Sequence, residues 1–402
     1  MADIILTINA GSSSVKFSAF EIAEGKLIPL ALGLIDGIGA KAVFTAKKST
    51  GEKTEFVLDQ SHQAVDHKMA LTAVLDWMEK EEDGANVVGV GHRVVHGGPD
   101  YAEPLFVDAD ILCHLKAFEP LAPLHQPYNL AGIAAAIEAF PKAAQVACFD
   151  TAFHRSHPYI ADTFALPRKY YDEGVRRYGF HGLSYEFNTR ILRYEEPVLA
   201  RGKVIVAHLG NGASLCAIKS GKSVASTMGF TALDGLPMGT RCGQLDPGVV
   251  LYLMGEKKMS AAEITDLLYK NSGLKGMSGI SHDMRELEAS SEQSAKDAID
   301  YFVSRVRREI GGLAAVLGGL DAIVLTGGIG ENAVRIRQAI LEDMEWIGIE
   351  IDSEANAKGE RIISGKGSPV VALVLKTDEE RMIAAHTAEL LGLKQPLVPA
   401  LS

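Results

Sequence analysis

Hydrophobic and polar positions near the start of the chain predict two β-strands joined by a short loop. Residues 4–8 form an apolar run that ends in Asn9, and residues 15–20 show largely the period-two alternation of a second strand. Small residues at 10–13 connect them. The backbone N–H groups and hydroxyls of this loop, together with Lys16, suit phosphate oxygens. An ordinary hairpin turn explains the same pattern, so the loop alone does not decide between the two interpretations.

The remainder of the first half predicts further strands and two helices. Apolar residues at helical spacing predict a helix over 65–81, and a second helix, over 129–140, is ended by Pro141. Strands are predicted at 26–34, 87–90 and 144–149, short strands within 35–60, and an irregular proline-rich segment at 104–125.

The opening pattern then returns in the second half. Strand, small-residue loop and strand recur at 203–208, 210–214 and 215–219, and a third strand follows at 223–226. This internal repeat predicts a duplicated α/β fold. Each half would carry a polar loop between its first two strands, and two such loops facing each other across a cleft suit a polyphosphate.

Helices and two more strands complete the second half. Asp246 followed by Pro247 starts one helix, and Ser260 with Glu263 forms a capping box at the start of another. The remaining predictions are a long amphipathic helix at 297–317, strands at 322–326 and 369–375, a G-G-I-G-E-N turn into a helix after the first of these strands, and a closing helix at 379–391.

Length and composition set the remaining bounds. A chain of 402 residues exceeds one typical core, so we predict an N-terminal domain at 1–150, completed by a closing helix at about 385–402, and a C-terminal nucleotide-binding domain at 151–384. A net charge of −11 argues against nucleic-acid or membrane partners. Four scattered cysteines fit reduced thiols. With neither a signal peptide nor a membrane span in the sequence, we expect a cytoplasmic protein.

Charged side chains cluster where the predicted strands end. Phosphoryl transfer needs cationic groups around the phosphoryl oxygens, a metal on the polyphosphate and in-line positioning. The carboxyl ends of strands in α/β sheets commonly bind ligands. The candidates of this kind are Arg93, Asp150, His181, Arg241, Asp283 and Arg285.

Each candidate also has a structural interpretation. Arg93 can form a structural ion pair and Asp150 can be a turn former. His154 and His157 have metal-like spacing, but no further ligand cluster accompanies them, so packing histidines are favoured over zinc. Cys242 beside Arg241 fits a small packed residue better than a reactive thiolate.

Several sequence motifs, which occur along the chain in the order typical of the family, resemble those of acetate kinases. This family belongs to the superfamily that also holds sugar kinases, actin and Hsp70-type ATPases. The most specific are L-T-I-N-A-G-S-S-S-V-K at 6–16 and V-A-H-L-G-N-G-A-S-L-C-A at 206–217. Others are G-H-R-V-V-H-G-G, F-D-T-A-F-H, R-R-Y-G-F-H-G, P-M-G-T-R, T-G-G-I-G-E-N and T-D-E-E. The resemblance runs from residue 4 to about 390 and implies two duplicated actin/ribonuclease-H-like domains with an active-site cleft between them.

The resemblance also implies roles for individual residues. Catalytic roles fall to Arg93, Asp150, His181 and Arg241, and Asn9 and Glu379 would lie near Mg²⁺. The ATP or ADP phosphates and adenosine would meet Ser12, Lys16, His208, Leu209, Gly210, Asn211, Gly212, Asp283, Met284, Arg285, Gly328, Ile329, Gly330, Glu331 and Asn332. The acid's alkyl group would meet Val95, Leu124, Phe180 and Ala232, with His125 as an auxiliary polar wall.

The expected activity is reversible phosphoryl transfer from ATP to acetate, giving ADP and acetyl phosphate by direct in-line attack. A carboxylate is ionised at neutral pH, so no general base is needed. A propionate or other short-chain acyl kinase is the alternative, because Ala232 stands where the family commonly has proline. A nucleotide-driven switch or filament protein would not need Arg93 and Arg241. The resemblance also implies a homodimer.

Overall fold

The structure is a computed structural model that describes residues 2–11, 13–39, 41–58, 65–81, 86–123 and 125–393. Its strands, in chain order, are β1 (Asp3–Ala10), β2 (Ser14–Ala23), β3 (Lys26–Asp36), β4 (Ala42–Lys48), β5 (Lys53–Leu58), β6 (Asn86–Val94), β7 (Leu105–Phe106), β8 (Ala144–Phe149), β9 (Lys203–Leu209), β10 (Ala213–Lys219), β11 (Lys222–Ser226), β12 (Ala322–Thr326) and β13 (Val371–Val374).

The helices are α1 (His67–Glu81), α2 (Ala109–Lys116), α3 (Gln126–Ala139), α4 (Tyr159–Asp162), α5 (Arg168–Asp172), α6 (Gly182–Glu195), α7 (Pro197–Ala200), α8 (Pro247–Gly255), α9 (Ala261–Lys270), α10 (Gly273–Ser278), α11 (Met284–Ala289), α12 (Gln293–Leu317), α13 (Gly327–Asn332), α14 (Val334–Leu341), α15 (Ser353–Lys358) and α16 (Glu379–Leu390). Short 3₁₀ turns lie at Glu119–Leu121, Ala152–His154 and Glu345–Ile347. None of these described helices is long and apolar enough to cross a membrane.

The chain divides into two compact units. The first comprises Met1–Phe153 and Asp378–Ser402, and the second comprises His154–Thr377. The sequence had suggested divisions at 150 and at about 385. In the structure the second division falls before Asp378, and all of α16 therefore belongs to the first unit.

The first unit is built on an eight-stranded sheet in the order β5-β4-β3-β2-β1-β6-β8-β7. Strands β1, β6 and β8 run parallel, and the others pair antiparallel. The apolar stripe of α1 covers one face because Leu71, Val74 and Met78 recur at helical spacing and are buried. Its Trp77 ring packs 6.0 Å from Phe17 and 5.7 Å from Phe44.

The second unit is built on a five-stranded sheet in the order β11-β10-β9-β12-β13. Strands β9, β12 and β13 run parallel, while β10 and β11 are antiparallel. The long helix α12 packs on β9, β10 and β11. Its buried face includes Phe302, Val306 and Ile310, which recur at helical spacing.

The two sheets share one strand pattern. Each begins with three consecutive antiparallel strands, to which the first unit adds β4 and β5, and the first of the three pairs in parallel with a later strand, β6 in one unit and β12 in the other. One further parallel strand, β8 or β13, then extends each sheet on the same side. The duplicated α/β fold predicted from the repeat is therefore confirmed.

Two local predictions need correction. The segment at 104–125 was expected to be irregular, yet it contains β7 and α2, because Asp108 caps that helix by accepting from Ile111 N at 2.8 Å. Helix α3 begins at Gln126 rather than residue 129, since Pro127 occupies a first-turn position where its missing N–H costs nothing. None of the four cysteines takes part in a disulfide.

Candidate active site

Three predicted site residues lie at the carboxyl ends of parallel strands in the first unit. Asn9 is near the end of β1, Arg93 near the end of β6, and Asp150 directly follows β8. The strand register pairs Ile8 with His92 and Arg93 with Cys148, so all three ends lie at one edge of the sheet. The strand pattern thus gathers an amide, a guanidinium and a carboxylate at that edge.

Asp150, which is buried, forms an ion pair with the partly buried Arg93. Arg93 Nε lies 3.1 Å from both carboxylate oxygens, and Nη2 lies 2.6 Å from Oδ2. Burial alone would lower the pKa of Arg93, but the negative charges of Asp150 and Glu379 raise it above its usual value. The guanidinium therefore stays charged in a fixed orientation.

The start of α16 adds acidic groups to the same place. Glu379 Oε2 lies 3.8 Å from Arg93 Nη1. Burial, and then the neighbouring charge of Glu379, raise the pKa of Glu380, while Lys16 acts in the opposite sense. Lys16 is the cross-strand partner of Asn9. The carboxylates of Glu379 and Glu380 thus act on Arg93, and Lys16, beside Asn9, acts on Glu380.

This set suits a magnesium ion that takes most of its ligands from phosphate and water. Mg²⁺ prefers oxygen donors and commonly uses one or two protein carboxylates. Glu379 and Asn9 supply such donors, although among the described residues no group of three or more His, Cys, Asp or Glu side chains forms a complete metal site. The donor chemistry therefore fits a metal bound with the nucleotide.

The residues predicted to meet the alkyl group have separate surroundings. Val95 is buried, and its N–H donates to Asn129 Oδ1 at 3.0 Å. Phe180 and Ala232 belong to the second unit, where Phe180 is buried and Ala232 partly exposed. Leu124, like Ser12 of the phosphate loop, lies outside the described residues. Their shared role as a pocket remains a prediction.

In the second unit, His181 sits at the start of α6 in a left-handed conformation, with φ of 58°. Its Nδ1 lies 2.8 Å from Ser214 Oγ, and its ring stacks on His208 with centroids 4.3 Å apart. His208 Nδ1 in turn lies 2.8 Å from Ser184 Oγ. Both rings are held through Nδ1, so the Nε2 edge of each is directed away from these serines.

Gly212 marks the point where the predicted catalytic groups of this unit converge. A Cβ built on Gly212 would lie 3.1 Å from His181 Nε2 and 3.4 Å from Arg241 Nη2. Arg241 is oriented by the carbonyl of Ala232, to which Nη1 donates at 2.7 Å. Glycine leaves this space open, so a ligand on the loop can reach both side chains.

The loop at 208–212 is also adjacent to the other predicted nucleotide segments. A Cβ on Gly210 would be 3.8 Å from Gly328 N, and one on Gly239 would meet both Asn211 Oδ1 and His282 O. Residue 282 directly precedes the predicted 283–285 segment. The buried Leu209 anchors the loop at the end of β9. The second unit thus brings the three segments predicted to bind the nucleotide together around one loop.

Within these segments, several side chains bind each other. Asp283 caps α11, and its pKa is lowered to about 2, chiefly by the hydrogen bond from the exposed Arg285 side chain, while Met284 is buried. Glu331 Oε1 accepts from Gly327 N at 3.0 Å and from Thr377 N at 3.1 Å. The remaining members of the G-G-I-G-E-N segment, Gly328, Ile329, Gly330 and Asn332, are all within α13 rather than in a turn before it.

Sequence reasoning missed several residues that support these groups. Asn129 bridges Val95 N and Ala10 O, the latter at 2.7 Å, so it connects two strand ends. Ser214 holds His181, and Glu380 lies beside Glu379. The last two stand inside the motifs G-N-G-A-S and T-D-E-E, so the motifs held a signal for them. Asn129 had none, because its contacts depend on how α3 packs.

The structural interpretation is supported for the His154 and His157 pair and for Cys242. His154 Nδ1 and His157 Nε2 both bond Ser223 Oγ, at 2.8 and 2.7 Å, which is a packed arrangement and not a metal site. Burial raises the pKa of the Cys242 thiol, which disfavours a reactive thiolate. His125 lies at the start of α3.

Comparison with known proteins shows that this chain is similar to one protein family over nearly its whole length. The sequence model described as the Acetokinase family matches residues 4–385. The chain is 58% identical over 398 residues to an acetate kinase of Methylocella silvestris, with 97% of this chain and 98% of the relative covered.

Two solved structures match over nearly the whole chain. Porphyromonas gingivalis acetate kinase has a TM-score of 0.87 at 36% identity, covering 97% of this chain and 100% of its own. A propionate kinase from Francisella tularensis has a TM-score of 0.89 at 37% identity, covering 96% of this chain and 99% of its own.

Proposed function

The chain belongs to the acetokinase family, and we propose that it transfers the γ-phosphoryl group of ATP to acetate, reversibly and by direct in-line attack. The products are ADP and acetyl phosphate. The observation that carries the proposal is the convergence of His181 Nε2 and Arg241 Nη2 on Gly212, within the loop assigned to the nucleotide phosphates. Preorganised polar side chains beside a phosphate loop, an arginine among them, are what phosphoryl transfer requires.

The first unit supplies the acceptor-side groups. Arg93 binds the acetate carboxylate and the migrating phosphoryl group with the guanidinium edge that Asp150 does not occupy. Asp150 engages Nε and Nη2, so its role is to orient Arg93 and not to act as a base. A base is unnecessary because acetate is already ionised near neutral pH. Asn9 and Glu379 would hold Mg²⁺, which when bound neutralises charge on the polyphosphate, and Lys16 adds positive charge beside them.

The second unit supplies the nucleotide side. The segment 208–212 binds the phosphates, and the segments 283–285 and 328–332 hold the adenosine. His181 and Arg241 meet negative charge as it develops on the transferring group. The position of the Arg241 side chain depends on its hydrogen bond to the carbonyl of Ala232. The residue proposed to select the acid thus orients the residue proposed to stabilise the transition state.

Acetate is proposed as the acceptor in preference to propionate. The relative at 58% identity is named for acetate, whereas the propionate kinase structure is 37% identical. Because the side chain of Ala232 is small, we also expect some turnover of propionate.

A homodimer and a cytoplasmic location are part of the proposal. Helix α8 carries no charged residue and has no buried residue, and Leu251, Tyr252 and Met254 are exposed. A helix that is apolar all round is normally covered. We assign this helix to contact with a second copy of the chain, which the sedimentation coefficient of a Leu251→Asp variant would test.

The function is tested by phosphotransfer assays on the purified protein. ATP, Mg²⁺ and one acid at a time (formate, acetate, propionate or butyrate) are supplied, and ADP and acyl phosphate are measured separately. We expect equal amounts of ADP and acetyl phosphate, with acetate giving the highest kcat/KM. ATP hydrolysis that is independent of any acid would instead indicate a nucleotide-driven switch protein.

A further inference from the structure

His154 lies against the segment that leads into His181. Its Nε2 is 2.9 Å from the carbonyl oxygen of Phe180, and both residues are buried. A carbonyl oxygen can only accept, so the proton of His154 resides on Nε2 and donates to Phe180. The tautomer of this histidine is therefore determined by its partner.

A serine completes the arrangement on the other side of the ring. Ser223 Oγ lies 2.8 Å from His154 Nδ1 and 2.7 Å from His157 Nε2. Because Nδ1 of His154 carries no proton, Ser223 donates to it and accepts from His157. Burial lowers the pKa of His154 to about 4 and that of His157 to about 2, so both rings are neutral near neutral pH.

The accepting carbonyl matters because it belongs to the peptide group between Phe180 and His181. The orientation of that peptide helps to set φ of His181, which has the left-handed value of 58°. Gly179 is also left-handed, and a Cβ there would lie 2.6 Å from the His154 ring, so the segment packs directly on this histidine. Non-glycine residues hold such a conformation only where their surroundings enforce it.

The His154 ring also supports the second tie to His181. It lies edge-on to Tyr185, with centroids 5.5 Å apart, and the hydroxyl of Tyr185 bonds Ser214, the partner of His181 Nδ1. His154 thus contacts both the backbone before His181 and, through Tyr185, the serine that bonds the His181 ring.

We propose that His154 is a positioning residue for phosphoryl transfer, whose Nε2–H bond to Phe180 holds His181 in the left-handed conformation that directs its Nε2 to Gly212. This proposal rests on the proposed function of His181. His154 itself touches neither substrate nor nucleotide.

Two substitutions separate the hydrogen bond from the packing. His154→Phe keeps an aromatic ring beside Tyr185 but removes the donor, whereas His154→Gln keeps an N–H donor and an acceptor without the ring. We expect His154→Phe to lower kcat by about a hundredfold, the size of loss that a displacement of about 1 Å can cause. KM for ATP and for acetate should change by less than about threefold, since ground-state contacts are intact. His154→Gln should recover most of kcat.

His157→Gln is the matched control, because His157 bonds the same serine but does not contact Phe180. It should retain kcat within about twofold, because a change in the bond to Ser223 leaves the His154–Phe180 bond in place. A His154→Phe enzyme with wild-type kcat would overturn the proposal. So would a loss in His154→Gln or His157→Gln as large as in His154→Phe, since that pattern indicates packing alone.

If His154→Phe does not fold, His154→Met carries the test, because a flexible apolar side chain fills the site without donating to Phe180. We again expect a lower kcat at unchanged KM, and wild-type kcat would overturn the proposal. A wild-type protein without acetate-dependent phosphotransfer would contradict the function itself. An active wild type with unaffected variants would contradict only the positioning role.

Discussion

The guanidinium of Arg93 presents its Nε and Nη2 edge to the carboxylate of Asp150, with Nη2 2.6 Å from Oδ2. The side chain of Asp150 is almost fully buried, whereas 21% of the Arg93 side-chain surface is exposed, and its remaining nitrogen, Nη1, lies 3.8 Å from Glu379 Oε2. One edge of the Arg93 guanidinium is therefore occupied by Asp150, and the remaining nitrogen, Nη1, lies beside Glu379. An arginine that must meet a carboxylate in a fixed direction benefits from such an anchor.

Asp150→Asn should lower kcat and raise KM for acetate together, because the neutral amide no longer holds Arg93 in place. A loss of roughly ten- to a hundredfold in kcat/KM is expected from misplacing a substrate-binding group. Arg93→Ala should raise KM for acetate still more. Steady-state kinetics with acetate as the varied substrate measure both effects.

Asp162→Asn is the matched control for Asp150→Asn, since Asp162 forms a comparably buried pair with Arg155, 3.3 Å apart. Both variants should lose stability, but only Asp150→Asn should change KM for acetate. An Arg93→Ala enzyme with wild-type KM and kcat would refute the assigned role.

Arg241→Ala should lower kcat and kcat/KM by the same factor, roughly two to three orders of magnitude, as with other losses of a preorganised donor. Arg241→Lys should not restore activity, because an ammonium cannot both bond the Ala232 carbonyl and reach Gly212 as a planar fork does. Arg308→Ala, an exposed position on α12, is the control. A change confined to KM would show that Arg241 acts in binding only.

Glu379→Ala should weaken the dependence on Mg²⁺ and lower kcat while the protein remains folded. The physical reason is the loss of a carboxylate oxygen from a site with few protein ligands. Titration of activity with Mg²⁺ at fixed ATP measures the effect. Glu389→Ala, near the other end of the same helix, should behave as wild type, and a wild-type Mg²⁺ curve for Glu379→Ala would sink the assignment.

Ala232→Pro should raise the preference for acetate over propionate, expressed as the ratio of the two kcat/KM values. One methylene in an apolar pocket is worth about 1–3 kcal/mol of discrimination. Proline keeps the carbonyl that accepts from Arg241, so transfer to acetate should persist. Ala232→Gly, which adds no volume, is the control. A ratio unchanged within about twofold would mean that neighbouring side chains set the chain length.

Folding stability should fall as the pH drops from about 7 towards 4, in part because of buried histidines. Burial lowers the pKa of His92 and of His154 to about 4, whereas an unfolded histidine binds its proton near 6.5. Between pH 4 and pH 6.5 the unfolded state binds more protons than the folded state. The stabilisation from these neutral histidines is therefore fully present above about pH 6.5 and is lost as the pH falls towards 4.

Each histidine of this kind should contribute about 1.4 kcal/mol to the free energy of unfolding per pH unit across that window. Denaturant unfolding of wild type and His92→Gln at pH 7.5 and pH 5.5 tests this, with the exposed His114→Gln as control. The slope with pH should be shallower in His92→Gln alone. Equal slopes in all three proteins would contradict the assignment.

The duplicated architecture and the positions of the polar clusters could be read from the sequence, because both depend on local patterns. Alternation of apolar residues predicts strands, and the return of a strand, loop and strand predicts a repeat. Placing Arg93 and Asp150 at one sheet edge needed only the rule that parallel strands end together. The helix α2 was missed because a proline-rich segment hides its cap at Asp108.

Only the tertiary structure decided which side chains meet. Asn129 reaches Ala10 across 119 positions of sequence, and His154 reaches Phe180 and Ser223 across distances that no motif spans. The left-handed backbone at His181 is likewise invisible to periodicity, since the side chains that contact this segment, such as His154 and Ser214, come from other parts of the chain. Local propensity determines elements, whereas the orientation of a catalytic side chain is determined by contacts that exist only after those elements pack.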